Sequence, residues 1–111
     1  MKYLRNIRPF EAIKMNDMVS HSGSKIASKA LVDNDRHELR FFSFAKGESI
    51  DKEYYEMESL FIIIEGEIKV LYNEDSEALV REGEIFALEA DIQYGLEALT
   101  DVKLLNILIK D

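Results

Sequence analysis

LFIIIEGEIKVLY, residues Leu60–Tyr72, contains the longest apolar run of the chain. Both apolar parts of this stretch are short and rich in β-branched residues, which favours strands over a helix. Between them stands Gly66, and glycine readily adopts the positive φ that a tight turn often demands. We therefore predict two strands, Leu60–Ile64 and Ile68–Tyr72, folded back on each other as a hairpin about Gly66.

Outward from this stretch, the chain reads as a series of short strands separated by turn residues. No long segment carries a 3.6-residue apolar period, so helix is limited to one or two turns. Short strands at roughly 8–12-residue spacing are typical of an all-β sandwich or barrel. The other predicted strands are Ile26–Val32, His37–Ala45, Ser49–Met57, Glu77–Val80, Glu84–Leu88, Ile92–Glu97 and Val102–Ile109.

The bulk composition excludes several classes of function. The 111 residues, 47% of them apolar, suit one domain with its own core. The absence of cysteine excludes disulfides and cysteine zinc sites. A net charge of −8, with no run of Lys or Arg, opposes binding to nucleic acid. No segment approaches the length of a membrane span or of a signal-peptide core, so we expect a cytoplasmic protein without a membrane partner.

Two features indicate self-association. The last strand, Val102–Ile109, has apolar side chains on both faces, and so does Phe61–Ile64. Such strands are buried on both faces, or are buried on one and covered on the other by another subunit. We therefore predict a homodimer. Residues 1–24 are the least regular part of the chain, and we interpret them as an N-terminal segment that forms an edge strand or a dimer arm, followed by a barrel domain at 25–111.

From Lys25 to Lys110 the pattern resembles a small single-domain cupin. The first motif of that superfamily is a glycine, five residues, His-x-His, three or four residues, Glu, six residues and a glycine. Gly47 and Gly66 stand at its two glycine positions, and Gly83 fits the start of the second motif. The resemblance implies a cupin-like double-stranded β-helix, which is a jelly-roll barrel of two antiparallel sheets.

At the positions that hold metal ligands in cupins, this chain lacks histidine. Glu53 and Tyr55 stand at the two histidine positions of the first motif, Ser59 at its glutamate position and Tyr94 at the histidine of the second motif. Imidazole gives such sites their affinity for transition metals, and a phenol with a pKa near 10 replaces it poorly. We therefore expect no metal and no cofactor, and a metal-dependent enzyme is the least favoured function.

Strand alternation places Glu53 and Tyr55 on one face. If that face points into the barrel, with Tyr94 facing it from the opposite sheet, these residues and Ser59 form a cup for a small ligand. Alternatively, the tyrosines fill the barrel and close the cavity. The favoured function is a non-catalytic small-molecule-binding, accessory or sensor protein. The alternative is a metal-independent isomerase or lyase for a small carbonyl or sugar-like substrate, with Glu53 as base and Tyr55 or Tyr94 as acid.

Other charged and ionisable residues have simpler interpretations. His21 and His37 lie outside the motif positions, and we expect both on the surface, without a catalytic role. An oxygen-only site for a hard cation is conceivable in an acidic cluster, although solvated charges on an exposed loop are the simpler interpretation. That cluster comprises Asp51, Glu53, Glu56 and Glu58.

Overall fold

The structure is a computed structural model, and it describes residues 1–23 and 25–111. Within these residues the chain forms nine strands, one 3-10 turn at Met15–Asp17 and no α-helix, which confirms the all-β prediction. No helix in this part of the chain is long and apolar enough to cross a membrane. The strands are β1 (Ile26–Asp33), β2 (His37–Phe44), β3 (Ser49–Tyr55), β4 (Glu58–Glu65), β5 (Glu67–Tyr72), β6 (Ser76–Arg81), β7 (Ile85–Leu88), β8 (Ile92–Ala98) and β9 (Val102–Ile109).

The strands form two antiparallel sheets, as predicted. One sheet has the order β1-β2-β9-β4-β7, and the other has the order β3-β8-β5-β6. In the described chain only the β1–β2 and β5–β6 connections return to the same sheet, whereas the other six cross to the opposite one. Because consecutive strands alternate between the sheets in this way, the chain winds into a double-stranded β-helix.

The predicted hairpin about Gly66 is wrong. Strand β4 pairs with β7 and β9, whereas β5 pairs with β6 and β8, so the two strands belong to different sheets. Glu65-Gly66-Glu67 is instead a corner between the sheets. Gly66 does have positive φ, at +84°, and a Cβ there would overlap the carbonyl oxygen of Asp101. Glycine is therefore required where this corner touches the β8–β9 corner, and not for a hairpin.

The main core lies between the two sheets and is made of alternate side chains from both. The largest fully buried apolar side chains there are Phe44, Phe61, Ile63, Ile68, Val70, Val102 and Leu104. Among the described residues no buried side-chain nitrogen or oxygen lacks a hydrogen-bond partner. The buried polar groups are therefore satisfied, as they are in native cores.

A second, smaller cluster lies on the outer face of the five-stranded sheet. Here Met18 packs on Leu31 and Phe41, and we call the described residues 1–23 that cross this face the N-terminal arm. Hydrogen bonds tie the arm down: the backbone N–H of Arg5 donates to the Leu31 carbonyl at 3.0 Å, and Lys103 Nζ donates to the Asn16 carbonyl at 2.6 Å. The arm thus covers one end of this face.

His21 also fixes the arm and is only partly exposed, so the expectation of a simple surface histidine is wrong. Its backbone N–H donates to Ser43 Oγ at 3.1 Å, and its Nδ1 lies 2.7 Å from the same oxygen. Ser43 is fully buried. A buried hydroxyl needs hydrogen-bond partners, and His21 supplies them. His37 is exposed at the start of β2.

Candidate functional site

The interior of the barrel contains a stacked pair of tyrosines. Tyr55 on β3 and Tyr94 on β8 have ring centroids 4.1 Å apart and planes inclined by 20°. Phe61 meets the Tyr94 ring edge-on at 5.7 Å. Both arrangements are ones that aromatic quadrupoles favour. The expectation that Tyr94 looks in from the opposite sheet is wrong, because β3 and β8 are neighbours in the four-stranded sheet.

Among the predicted site residues, Ser59 faces this pair from the opposite sheet. It is almost fully buried on β4, and its Oγ lies 2.6 Å from the hydroxyl oxygen of Tyr94. Either hydroxyl can donate. This hydrogen bond links the two sheets across the barrel, in surroundings where leaving either group unpaired would be costly.

Glu53 does not join the other three predicted residues. It pairs in register with Tyr94, but it is exposed on β3, which is an edge strand. A bulge interrupts β3 between Ile50 and Glu53, and Gly95 on β8 accommodates it, since a Cβ at Gly95 would stand 2.6 Å from the Ile50 carbonyl oxygen. The structure therefore brings together Tyr55, Ser59 and Tyr94, and leaves Glu53 at the solvent.

A small cavity remains beside the tyrosine pair. Its volume is about 120 Å³, well below the roughly 300–1,000 Å³ of pockets for drug-sized ligands. The tyrosines thus fill most of the barrel but do not close it completely. The lining residues are Glu38, Phe42, Ile50, Tyr55, Phe61, Tyr94, Gly95, Leu96, Asn106 and Leu108.

Two polar residues of this lining were missed in the sequence. Glu38 is half-buried at the start of β2, where Arg40 Nε lies 3.4 Å from its carboxylate. Asn106 is buried on β9, and its Nδ2 donates to the Leu60 carbonyl at 3.3 Å. Strand alternation could have found both, because Glu38 shares its parity with Phe42, and Asn106 shares its parity with Leu104. A polar residue on an inward-facing position is the signal.

The environment keeps both phenols neutral. Burial raises the pKa of Tyr94 to about 12; the Ser59 hydrogen bond opposes this rise, and Tyr55 and the Glu38 carboxylate add to it. Burial also raises the pKa of Tyr55, and the Glu53 and Glu38 carboxylates contribute further. At neutral pH the two hydroxyls are therefore hydrogen-bonding groups and not phenolates.

The residues at the four motif positions do not fit a transition metal. The Ser59 and Tyr94 hydroxyls are hydrogen-bonded to each other, and the raised pKa of Tyr94 opposes its ionisation. Glu53 is exposed to solvent. Metal ligation requires the opposite, namely free and deprotonated donors. In residues 1–23 and 25–111 no group of three or more His, Asp or Glu side chains is placed to hold a metal ion. In the acidic cluster, the Glu56 carboxylate forms an ion pair with the Lys110 ammonium group.

Comparison with known proteins identifies the fold. A conserved protein of unknown function from Streptococcus pyogenes superposes with a TM-score of 0.93 at 20% identity, over 100% of this chain and 96% of that one. A cupin superfamily protein from Desulfitobacterium hafniense superposes with a TM-score of 0.90 at 24% identity, over 97% of this chain and 98% of that one. An RmlC-like cupin family protein with a double-stranded β-helix fold, from Methanocaldococcus jannaschii, superposes with a TM-score of 0.70 at 16% identity, over 78% of this chain and 82% of that one.

No protein-family model matches the chain, and no curated protein matches its sequence. At identities below 25% these structural likenesses establish architecture and leave activity open. The double-stranded β-helix named for the Methanocaldococcus jannaschii protein is the architecture that the sheet crossings give this chain. This chain has the cupin fold.

Proposed function

We propose that this chain is a non-catalytic small-molecule-binding protein of the cytoplasm, acting as an accessory or sensor module. The observation that supports this most directly is the cavity of about 120 Å³ beside the stacked tyrosines. An apolar cavity of about 150 Å³ binds benzene, so this one suits a ligand of about five non-hydrogen atoms. Apolar walls with a few convergent polar groups are the usual composition of a ligand site.

The polar groups of the lining define what such a ligand would carry. Glu38 is the one charged residue among those that line the cavity, and Asn106 contributes an amide. Tyr55 and Tyr94, whose rings stack on each other, also line the cavity. Arg40 contacts one oxygen of the Glu38 carboxylate, which can accept further hydrogen bonds but cannot donate one. We therefore expect a neutral or cationic ligand with a hydrogen-bond donor, and not a carboxylate, which only accepts.

The size of the cavity also limits the affinity. The best very small ligands gain at most about 1.5 kcal/mol per non-hydrogen atom. Five such atoms correspond to about 7.5 kcal/mol, which is a Kd no tighter than a few micromolar. A protein with this affinity responds to a metabolite that is present at micromolar to millimolar concentration, which suits a sensor.

The same geometry disfavours the alternative of a metal-independent isomerase or lyase. General acids act best with a pKa near the working pH, and burial raises the pKa of Tyr94 to about 12. Its hydroxyl is already engaged by Ser59. Glu53, the base in that alternative, lies outside the cavity lining. Binding is therefore the better-supported function.

The proposal is tested by a fragment screen followed by NMR. The probes are ammonium, alcohol, amide and carboxylate compounds of four to six non-hydrogen atoms, at millimolar concentration. We expect amines, alcohols or amides to shift the resonances of Tyr55, Tyr94 and Phe42 in a saturable way, and carboxylates to have no effect.

A matched pair of variants distinguishes the cavity from the surface. Leu108→Phe adds volume at the cavity lining and should abolish the shifts, whereas Leu79→Phe on β6, where the side chain is 41% exposed, should preserve them. The proposal is overturned if no probe shifts the cavity resonances, or if Leu108→Phe binds as well as Leu79→Phe does.

A further inference from the structure

Two side chains that line the cavity beside the tyrosine pair each have an unengaged acceptor oxygen. Arg40 Nε contacts Oε2 of the Glu38 carboxylate at 3.4 Å, and no described residue forms a hydrogen bond with Oε1. The amide Nδ2 of Asn106 donates to the Leu60 carbonyl at 3.3 Å, and in the described chain its Oδ1 has no such partner. Because no buried side-chain oxygen there lacks a partner, both atoms border open space, and the cavity is the space that both residues line.

Strand register places these two acceptors near each other. Across the β2–β9 ladder, Glu38 pairs with Leu108 and Arg40 pairs with Asn106. Glu38 and Asn106 are therefore diagonal neighbours, and neighbours of this kind on one face of a sheet lie about 7–8 Å apart, within reach of long side chains. One small polar group between them can donate a hydrogen bond to both.

The charge of the cavity lining is negative. Among the described residues that line the cavity there is one carboxylate, that of Glu38, and no Lys, Arg or His. Arg40 divides its guanidinium among three side chains, those of Glu38 at 3.4 Å, Asp33 at 3.4 Å and Ser28 at 3.0 Å. Arg5 also approaches Asp33, at 3.6 Å, but both of these side chains are exposed and water screens the pair. Arg40 therefore does not neutralise both carboxylates.

The field of the Glu38 carboxylate reaches both tyrosines. Burial is the main cause of the raised pKa of Tyr55 and of Tyr94, and in both cases the Glu38 carboxylate adds to the rise. A negative potential that opposes the formation of a phenolate stabilises a cation in the same surroundings. The cavity therefore favours a positively charged ligand over a neutral ligand of the same shape.

Aromatic side chains form much of the remaining wall of the cavity. They are Phe42, Tyr55, Phe61 and Tyr94. Aromatic rings attract cations within about 6 Å of the ring centroid, and they also pack on alkyl groups. A hard metal ion needs six or more oxygen ligands, which this wall does not provide. The lining therefore suits an organic cation with an alkyl group.

The carboxylate lies where the cavity is closest to solvent. The Glu38 side chain is 23% exposed, whereas Phe61 and Asn106 are buried. Transfer of a charge out of water is costly unless the charge is paired and hydrogen-bonded. An ammonium group beside Glu38 is paired with a carboxylate and stays close to water, while its alkyl group occupies the buried part of the cavity.

We propose that this cavity binds a small primary alkylammonium ion, with its N–H groups donating to Glu38 and Asn106 and its alkyl group among the aromatic rings. The inference rests on the binding function proposed above and narrows its ligand to a cation. The charged nitrogen carries three donors, which serve the two acceptors and leave one donor for water. An ion of about five non-hydrogen atoms matches the volume of the cavity.

Three probes of equal size, with five non-hydrogen atoms each, separate charge from hydrogen bonding. Tert-butylammonium is a cation with three donors, tert-butanol is neutral with one donor, and tetramethylammonium is a cation without a donor. NMR titration of the wild-type chain at pH 7 gives the Kd of each probe; an alkylamine, like lysine, has a pKa near 10 and is charged there. We expect tert-butylammonium to bind at least about tenfold more tightly than either of the other two.

A matched pair of variants tests the role of the carboxylate. Glu38→Gln keeps the size of the side chain and removes its charge, so it should weaken tert-butylammonium binding at least about tenfold and change tert-butanol binding less than about twofold. Glu77→Gln, at an exposed position of β6, removes the same charge from the net −8 of the chain and should change both affinities less than about twofold. Circular dichroism verifies that both variants are folded.

The outcomes distinguish the inference from the function on which it rests. If tert-butanol binds as tightly as tert-butylammonium, the cavity binds ligands but the preference for cations is wrong. The inference is also overturned if Glu38→Gln weakens tert-butylammonium binding no more than Glu77→Gln does. Equal affinity for tetramethylammonium and tert-butylammonium would overturn the hydrogen bonds to Glu38 and Asn106. If neither these probes nor any fragment of the screen binds, the inference and the proposed function are both wrong.

Discussion

The two faces of the five-stranded sheet differ in how completely they are covered. On the inner face, Phe61 and Leu104 are almost inaccessible, and Ser59 is hydrogen-bonded to Tyr94. On the outer face of the same sheet, Ile85 on β7 and Ile109 on β9 are exposed to solvent. Strand alternation produces both faces from one stretch of sequence. The difference indicates that the inner face provides most of the stability of the single chain, and that the exposed part of the outer face contributes less.

The largest expected effect is the loss of unfolding free energy when one apolar side chain is truncated on each face. Phe61→Ala removes a fully buried ring and should lower the free energy of unfolding by about 3–5 kcal/mol. Ile85→Ala removes a side chain that is mostly exposed and should cost less than about 1 kcal/mol in the monomer. Urea denaturation at low protein concentration measures both. Equal costs would contradict the division of roles.

The next effect is confined to the inner face and depends on pH. The pKa of Tyr94 is about 12 in the folded chain and about 10 in the unfolded one. Between these values only the unfolded state has released its proton, so the free energy of unfolding falls by up to about 1.4 kcal/mol per pH unit, or about 2–3 kcal/mol in all.

Below pH 10 this contribution is fully present, and above pH 12 it is lost. Urea denaturation as a function of pH, in the wild type and in Tyr94→Phe, measures it. The variant lacks the titrating group and should lose less stability between pH 10 and 12. The interpretation is wrong if both proteins lose stability in parallel.

A smaller effect is expected from the hydroxyl pair inside the barrel. Ser59→Ala leaves the buried Tyr94 hydroxyl without its partner and should cost about 1–3 kcal/mol. Adding Tyr94→Phe removes the unpaired group, so the double variant should be more stable than Ser59→Ala alone. Thermal unfolding of the two variants compares them. A double variant less stable than Ser59→Ala would show that the hydroxyl of Tyr94 has another partner.

The smallest effect concerns the buried hydroxyl of the outer face. Ser43→Ala removes the partner of His21, which holds the end of the arm. We expect faster hydrogen exchange at the His21 amide, because an arm detaches locally at a lower free energy than the barrel unfolds. The melting temperature should change little. A large global destabilisation would place the arm within the core instead.

Much of the fold was predictable, because strand positions follow from local apolar runs and turn residues. The hairpin about Gly66 was not, since a hairpin and a corner between sheets both need two strands and a positive-φ glycine. Only the long-range pairings of β4 with β9 and of β5 with β8 distinguish them. The residues around Gly66 do not determine those pairings, so the sequence could not show that β4 and β5 belong to different sheets.

The candidate site shows the same limit. The motif spacing indicated Tyr55, Ser59 and Tyr94, which the structure brings together. It also indicated Glu53, which is exposed because β3 is a bulged edge strand. Glu38 was missed because it lies on β2, outside both motifs. Strand alternation indicates that Glu38 faces inward, but its distance from the tyrosines depends on how the two sheets close, which spacing along the chain does not reveal.

The repeated crossing between sheets has a consequence for how this chain folds. Strand β2 pairs with β9, so His37 meets Ile109, 72 residues further along the chain. Only the β1–β2 and β5–β6 hairpins can form from neighbouring segments in the described chain. Such non-local pairing requires loop closure before it yields contact energy, and proteins of this kind fold in milliseconds to seconds. The apolar strand β9 follows the other eight strands along the chain and pairs with both β2 and β4, so each of these two strands has one unpaired edge until β9 docks.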